Sequence, residues 1–494
     1  MKNIFVLFCC MLSLSCFAQQ KNNKHIVLVR LIDDSVDLKE EGGSNRLSTA
    51  NKQFNRMLSN YEVDLFYKCV KNAKKESLKD LYEIHFKGDL HEFKSELDSY
   101  DIFKFDRELK IYEAITCNNP VPPVNDIRIA DGEVNNYALE LIEANCAWSV
   151  SRGKSDVVIG IADTEFENHE DLENQIIHVS GPISDMHQHG INVAGAASAE
   201  TNNSLGIAGI GYYTKIAGYR VSHTIQSNGG ATGSPYSAIM QAWNDGRKII
   251  NVSWSGTGLT SSEAEMITNS GTVLVVAAGN VPSSTSHSTI SDIPGVINVS
   301  SVNHENKHDP DPDDPDIEPH AHNQWVDLCA PGHNVTTTKE NDSYEGVWGT
   351  SFSAPIVAGT IGLMLAENPC LTPEEVEDIL KATTDPIDDE HLFPGLLGAG
   401  RLNAYKAVLG AIEEGTKYIQ SETYTSTALE TSGASIYAGS NVTSELPTGD
   451  VVVEDGSDVI FHTSGRDVVL SGGFKVENNA TFKVQSGDES TCPN

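Results

Sequence analysis

An α/β domain built on a mostly parallel sheet is predicted for the middle of this 494-residue chain. Three observations predict it. Short continuous apolar runs, of which Val157-Val158-Ile159-Gly160-Ile161-Ala162 is the clearest, read as strands buried on both faces. They alternate with stretches of helical character, and such alternation builds a parallel sheet covered by helices. The composition changes on either side, which predicts a small α+β module before the domain and a small all-β module after it.

The elements follow in order. Residues 1–18 read as a secretory signal: Lys2 opens it, Ile4 to Leu14 is apolar, and Cys16-Phe17-Ala18 ends on a small residue. The run is too short for a transmembrane helix, and no later run is read as one. Ser13-Leu14-Ser15-Cys16 fits a bacterial lipoprotein signal poorly, so secretion is preferred to lipid anchoring at Cys16. Residues 19–117 are rich in Lys and Glu. There His25 to Ile32 reads as a strand, and Ser48 to Cys69 and Leu90 to Phe105 read as amphipathic helices. A separate N-terminal module of a secreted protein reads as a pro-segment. Residues 118–135, opening Asn118-Asn119-Pro120-Val121-Pro122-Pro123, form a linker, because clustered Pro cannot continue regular structure.

The central domain is placed at residues 136–415. Its further strands are Lys215 to Arg220, Ile249 to Val252, Val273 to Ala277 and Val296 to Ser300. Helices are expected over Gly190 to Ala199, Ser234 to Asn244 and Ser261 to Ser270. Ile356 to Ala366 reads as a buried helix opened by Gly349-Thr350-Ser351-Phe352-Ser353-Ala354-Pro355. Thr372-Pro373-Glu374-Glu375 is a capping box with Pro in the first turn. A last helix ends near Glu414. Residues 421–494 alternate short Val-rich stretches with Gly and Asn turns, which suggests a β-sandwich or a short β-solenoid. That module reads as a spacer or as a binder of a surface or polymer.

Composition narrows the function. A net charge of −35 excludes nucleic acid as a natural partner, because phosphate backbones are held by Lys and Arg. Of nine cysteines, three lie in the signal. Export allows disulfides among the rest, whose pairing is open. Cys329 and Cys370 are read as isolated buried thiols. No cysteine spacing fits zinc, and the close pair His187 and His189 lacks a ligand set. His304 to Asn323 carries Asp309, Asp311, Asp313, Asp314, Asp316 and Glu318. It lacks the Gly and closing Glu of an EF-hand loop and is read as a solvated acidic loop in preference to a Ca²⁺ site.

Four segments carry chemistry together. Asp163 ends a buried strand, where sites in α/β folds gather. His189 starts a helix of small residues. Ala278-Gly279-Asn280 ends another strand. Ser351 stands at the start of a buried helix, near unpaired N–H groups and the positive end of the dipole. A neutral His takes a proton from Ser, a buried Asp fixes the imidazole, and an Asn amide donates to an oxyanion. These are the parts of acyl-transfer catalysis.

The order Asp…His…Ser, with its surrounding motifs, resembles the subtilisin-like serine proteases, the subtilases. The segments are Asp163-Thr164 with His169-Glu170-Asp171-Leu172, and His189-Gly190 with Val193-Ala194-Gly195. Asn203-Ser204 and Gly206-Ile207-Ala208-Gly209 follow. Then come Asn251-Val252-Ser253-Trp254-Ser255-Gly256, Ala278-Gly279-Asn280, Ala330-Pro331-Gly332, Gly349 to Pro355 and Gly400-Arg401-Leu402-Asn403-Ala404. The resemblance covers about residues 136–412. It implies a three-layer domain and a secreted serine endopeptidase made as a zymogen and acting on proteins or peptides. Asp163, His189 and Ser351 would be the triad, Asn280 the oxyanion donor, and Ser253, Trp254, Ser255 and Gly256 the wall of the substrate cleft. It implies no cofactor for catalysis and no catalytic metal, with calcium only as a stabiliser of loops. Three departures stand out: Glu165 where the family usually has Gly, Ile191-Asn192 where it has Thr-His, and Phe352 for Met. Glu165 and the C-terminal β module motivate a rival reading, a catalytically impaired relative with an adhesive or structural role.

Overall fold

The computed structural model describes residues 24–32, 38–40, 47–49, 51–63, 65–68, 81–100, 102–109, 124–126, 137–182, 188–221, 223–225, 231–233, 235–254, 256–282, 287–308, 319–440, 442–443, 450–464 and 468–486. They belong to two compact units divided between Ala114 and Ile115. The signal, most of the linker and residues 309–318 of the acidic stretch lie outside the described residues.

The first unit is α+β. Strands β1 (Lys24–Leu31), β2 (Leu65–Lys68), β3 (Leu81–Lys87) and β4 (Phe103–Leu109) form an antiparallel sheet in the order β2-β3-β1-β4. Helices α1 (Lys52–Asn60) and α2 (Leu90–Asp98) pack on it through Phe54, Phe93 and Leu97, all fully buried. Both helices are shorter than the sequence suggests. Asn51 caps α1 by accepting the N–H groups of Gln53 and Phe54, and Glu62 at φ 47° ends it. The remainder of each stretch turns into a strand, because Phe66 and Phe103 supply the sheet face of the core.

The second unit holds a seven-stranded sheet in the order β11-β10-β9-β8-β5-β7-β6, parallel throughout. Its strands are β5 (Val158–Asp163), β6 (Ile176–Ser180), β7 (Lys215–Arg220), β8 (Ile249–Val252), β9 (Val273–Ala277), β10 (Val296–Val302) and β11 (Leu328–Pro331). Alternate residues serve opposite faces. Ile159, Ile161, Val273 and Val275 pack with helices α3 (Tyr137–Leu141), α4 (Ala144–Val150), α5 (His189–Ser198), α8 (Thr350–Glu367), α9 (Pro373–Ala382) and α10 (Ala404–Glu414). Ile250, Val252, Leu274 and Val276 pack with α6 (Tyr236–Asn244) and α7 (Ser261–Asn269). Helices thus cover both sheet faces, giving three layers. Between β11 and α8 runs the hairpin β12 (Val335–Lys339) and β13 (Ser343–Val347).

Helix α8 is apolar all round and almost wholly buried, as a central core helix must be. It is long and apolar enough to cross a membrane, contrary to the sequence expectation, but 89% of its span is buried inside the protein. Pro355 lies within it. Proline has no N–H to bond the carbonyl four residues earlier, so the Ser351 carbonyl is released. The Ser253 hydroxyl bonds it instead at 2.7 Å.

The segment before α10 is held by charge. Asp385 accepts Arg401 Nη2 at 2.7 Å, Lys406 Nζ at 2.5 Å and Asn403 Nδ2 at 2.9 Å. Burial pushes the Asp385 carboxyl up, but Lys406, Asn403 and Arg401 outweigh it, and its pKa falls below the ordinary value. Its stabilisation is therefore present above the ordinary carboxylate pKa and is lost as pH falls through the lowered one. Asp385→Ala leaves two nearly buried cations unpaired. It is expected to cost about 3–5 kcal/mol, read as an earlier midpoint in denaturant unfolding.

The C-terminal region is a short parallel β-solenoid. Strands β14 (Lys417–Ile419), β15 (Thr423–Tyr424), β16 (Ala428–Ser432), β17 (Ile436–Ala438), β18 (Val451–Val453), β19 (Asp458–Thr463), β20 (Val468–Leu470), β21 (Phe474–Val476) and β22 (Thr481–Ser486) stack as β14-β17-β20, β15-β18-β21 and β16-β19-β22. Ile436, Val451, Val453, Val459 and Phe461 fill its interior. A correction concerns Cys370, which is disulfide-bonded, as is Cys146. Cys370 is only partly buried and lies against Gly433 at the base of the solenoid, a place open to pairing. Cys329, fully buried, is the free thiol among the described residues.

Candidate active site

Asp163 is the last residue of β5, and its side chain is fully buried. Its Oδ1 accepts the Thr164 N–H at 2.7 Å and lies 2.8 Å from His189 Nδ1, while Oδ2 has no hydrogen-bond partner. His189 is the first residue of α5, with its side chain 23% exposed. Thr164 Oγ1 accepts the Gly190 N–H at 2.9 Å, which pins the start of α5 to the end of β5. A Cβ on Gly190 would stand 2.8 Å from the Glu165 carbonyl, so the close approach requires glycine. Since Asp163 accepts at Nδ1, the tautomer protonated there leaves Nε2 as the basic nitrogen.

Burial works to lower the His189 pKa, but the charge and hydrogen bond of Asp163 outweigh it, and the net shift is upward. The free base is the form that takes a proton. The acid limb of kcat/KM is therefore expected above pH 6.5, the ordinary histidine value, with activity rising as pH increases through it. Asp163→Asn removes the charge and should move that limb down while lowering the rate, as a pH–rate profile would show.

Ser351 stands in the first turn of α8, where backbone N–H groups have no intrahelical partner. Its hydroxyl donates to the Ser253 carbonyl at 3.1 Å. The next residue, Phe352, puts its ring 5.5 Å from that of His189, so β5, α5 and α8 converge on one place. Asn280 approaches from the end of β9. Its Oδ1 accepts both the N–H and the hydroxyl of Thr350, at 2.9 and 3.0 Å. The Thr350 hydroxyl also accepts the Gly279 N–H at 3.0 Å. With Oδ1 engaged on Thr350, Nδ2 is turned to Gly349, where a Cβ would come within 2.9 Å of it. Gly349 has φ 137°, a conformation suited to glycine.

Of the predicted cleft residues, Ser253 touches Ser351 directly, and Asn251 Nδ2 donates to its hydroxyl at 3.0 Å. Trp254 is partly buried against the α6–α7 face of the core. Gly256 borders open space, and Ser255 lies outside the described residues. Glu165 is buried beside the end of β5. It pairs with Arg220 Nε through Oε1, which also accepts the Phe166 N–H at 3.1 Å. Asn192 donates to the Thr338 carbonyl at 2.7 Å, tying α5 to β12. Two partners went unread in the sequence: Thr350, which orients Asn280, and Arg220, which neutralises Glu165. The Thr beside Ser351 was a usable signal for the first.

Among the described residues Asp171 is engaged within the protein. The oxygens of Asp171 accept Asn203 Nδ2 and the Ile207 N–H, both at 2.9 Å. Among the described residues no group of three or more His, Cys, Asp or Glu is placed to hold a metal. Residues 309–318 of the acidic stretch, weighed in the sequence as a calcium binder, lie outside the described residues.

The subtilase family model matches residues 154–406. A thermophilic serine proteinase from Bacillus sp. (strain AK1) is 32% identical over 273 residues, 53% of this chain and 64% of that protein. Thermitase from Thermoactinomyces vulgaris is 30% identical over 283 residues, 55% of this chain and 95% of thermitase. The halolysin-like extracellular serine protease Nep of Natrialba magadii is 32% identical over 295 residues, 55% of this chain and 51% of Nep. Fold and site together define a subtilisin-like serine endopeptidase domain. The chain belongs to the subtilase family.

Proposed function

We propose that this chain is a secreted endopeptidase that cuts proteins or peptides through an acyl-enzyme on Ser351. His189 Nε2 takes the Ser351 proton as Oγ attacks the peptide carbonyl, then returns it to the leaving amine. Asp163 orients the imidazole and offsets its charge. Asn280 Nδ2 and the Ser351 N–H hold the oxyanion. Water repeats the sequence on the ester and releases the acid. The observation that carries this reading is the 2.8 Å bond from His189 to the buried Asp163. The rival, an impaired adhesive relative, keeps the C-terminal module as a motive, while Glu165 supports it less because its carboxylate is paired with Arg220.

Residues 1–18 direct export and residues 19–117 serve as the pro-segment, a reading supported by the separate composition and compact fold of the N-terminal unit. Expressing the full chain and its Ser351→Ala form tests the pro-segment and the peptidase activity together. The active form should shed the N-terminal unit and cleave a peptide substrate, and Ser351→Ala should do neither. Equal processing of the two purified proteins defeats self-cleavage. The solenoid is assigned to binding a surface or polymer, with the stacked pair Tyr418 and Tyr437, 5.6 Å apart, as its candidate contact. The net charge of −35 keeps nucleic acid off the list of partners.

A further inference from the structure

The C-terminal solenoid is covered at one end and open at the other. Its first coil stands on the catalytic domain, where Asn368 and Cys370 lie against Gly433. Its last coil, formed by β20, β21 and β22, ends all three stacks of strands. Among the described residues no strand pairs with the outer edge of any of the three. The register fixes which side chains of this coil point inward. Leu470 follows Ala438 in its stack, Val476 follows Val453 and Val484 follows Phe461, and those three predecessors are fully buried. Leu470, Val476 and Val484 are nonetheless 44%, 44% and 52% exposed. They are core residues without the coil that would cover them. A solenoid stays soluble by closing such an end with a polar cap, and an unpaired strand edge is otherwise a template for another chain. Residues 487–494, Gly-Asp-Glu-Ser-Thr-Cys-Pro-Asn, supply no Val, Leu, Ile or Phe to cover the row.

We propose that a second copy of this chain covers the open end, the two last coils joining edge to edge across a two-fold axis. The axis lies at right angles to the solenoid and passes through the middle of β22. It sets β22 antiparallel to its own counterpart, and β20 antiparallel to β21 of the other copy. The strand lengths suit this exchange: β22 has six residues, and β20 and β21 have three each. The inward pattern suits it too. With Lys483 on the axis, Phe482 stands opposite Val484, Val468 opposite Val476 and Leu470 opposite Phe474. All six continue inward ladder positions, since Val459, Ile436 and Val451 before Phe482, Val468 and Phe474 are also buried. Every pair therefore sets inward against inward, as a sheet with one buried face demands.

This self-complementarity is what an isologous contact requires: one patch serves both partners. An unrelated partner would have to bring the same three-edged apolar end, which this chain already carries. Lys483 meets its counterpart on the outer face, in water, so salt should tighten the dimer by screening the like charges.

The test uses full chain carrying Ser351→Ala, so that self-cleavage does not intrude. Analytical ultracentrifugation at micromolar concentrations should show a monomer–dimer equilibrium. Leu470→Asp and Val484→Asp should each weaken the dimer at least tenfold, while Ile177→Asp, at an exposed apolar position on β6, should not. In a mixture of isotopically light and heavy chains, an amine-specific cross-linker should join Lys483 to its counterpart. A monomer at every concentration would overturn the proposal and leave the open end to a different protein. A dimer that survives both Asp variants would overturn it too, as would one lost on Cys492→Ser, which traces it to a disulfide between chains. Should an Asp variant misfold, the cross-link in the parent decides alone: Lys483 joined to its counterpart supports the two-fold contact, and its absence refutes it.

Discussion

Ser351→Ala is expected to lower kcat on the order of a millionfold, the scale that subtilisin itself sets for loss of its nucleophile. On the proposed mechanism all of the chemistry passes through one oxygen. Ser351 Oγ is fixed by the first turn of α8 and by the Ser253 carbonyl that its hydroxyl meets. Removing it leaves Asp163, His189 and Asn280 in place, but nothing for them to activate. His189→Ala should cost a similar factor, and the double variant little more, because the residues act as a unit. Additive losses in the double variant would contradict a shared step. Burst kinetics with an ester substrate, absent in Ser351→Ala, would report the acyl-enzyme directly.

The second large effect is expected at Asn280. Replacing it with Ala should lower kcat on the order of a hundred- to a thousandfold with KM nearly unchanged, again the scale known from subtilisin's own oxyanion donor. On the proposed mechanism the amide meets charge only as the tetrahedral intermediate forms. Asn280→Asp is the sharper variant, because it keeps an oxygen for Thr350 but places negative charge toward the oxyanion. It should be at least as damaging as Ala. Thr350→Val removes the hydroxyl that holds Oδ1 at 3.0 Å while keeping the backbone bond at 2.9 Å. Its loss in kcat should be smaller than that of Asn280→Ala and in the same direction. A rise in KM without a fall in kcat would place Asn280 in substrate binding instead.

The sheet was legible because its central strands are continuous apolar runs, and Lys215–Arg220, Ile249–Val252 and Val273–Ala277 fall where those runs do. Edge strand β6 was missed: Ile176–Ser180 is partly exposed and carries His178, so it lacks that signature. In the N-terminal unit, amphipathic spacing was read past the helix ends, since left-handed Glu62 gives no sign of itself in sequence. The site segments were read by order and motif, and the structure brings Asp163, His189 and the start of α8 together. Their fine positioning was not, because it depends on pairs far apart in the chain: Thr350 with Asn280, and Arg220 with Glu165. Glu165 looked disruptive as a charge at a turn. Its partner two strand ends away turns it into a local ion pair, nearly buried on both sides. Cys370 was misread for the same reason, since a thiol pairs only with a partner that the fold brings close.

The most direct test is covalent. Processed enzyme should react with a serine-directed fluorophosphonate to give one adduct per chain, mapped by mass spectrometry to Ser351, at a rate that falls when His189 is protonated. Ser351→Ala should take up none. Processed wild-type protein that takes up no label, or an adduct that persists in Ser351→Ala, would contradict the assignment of the nucleophile.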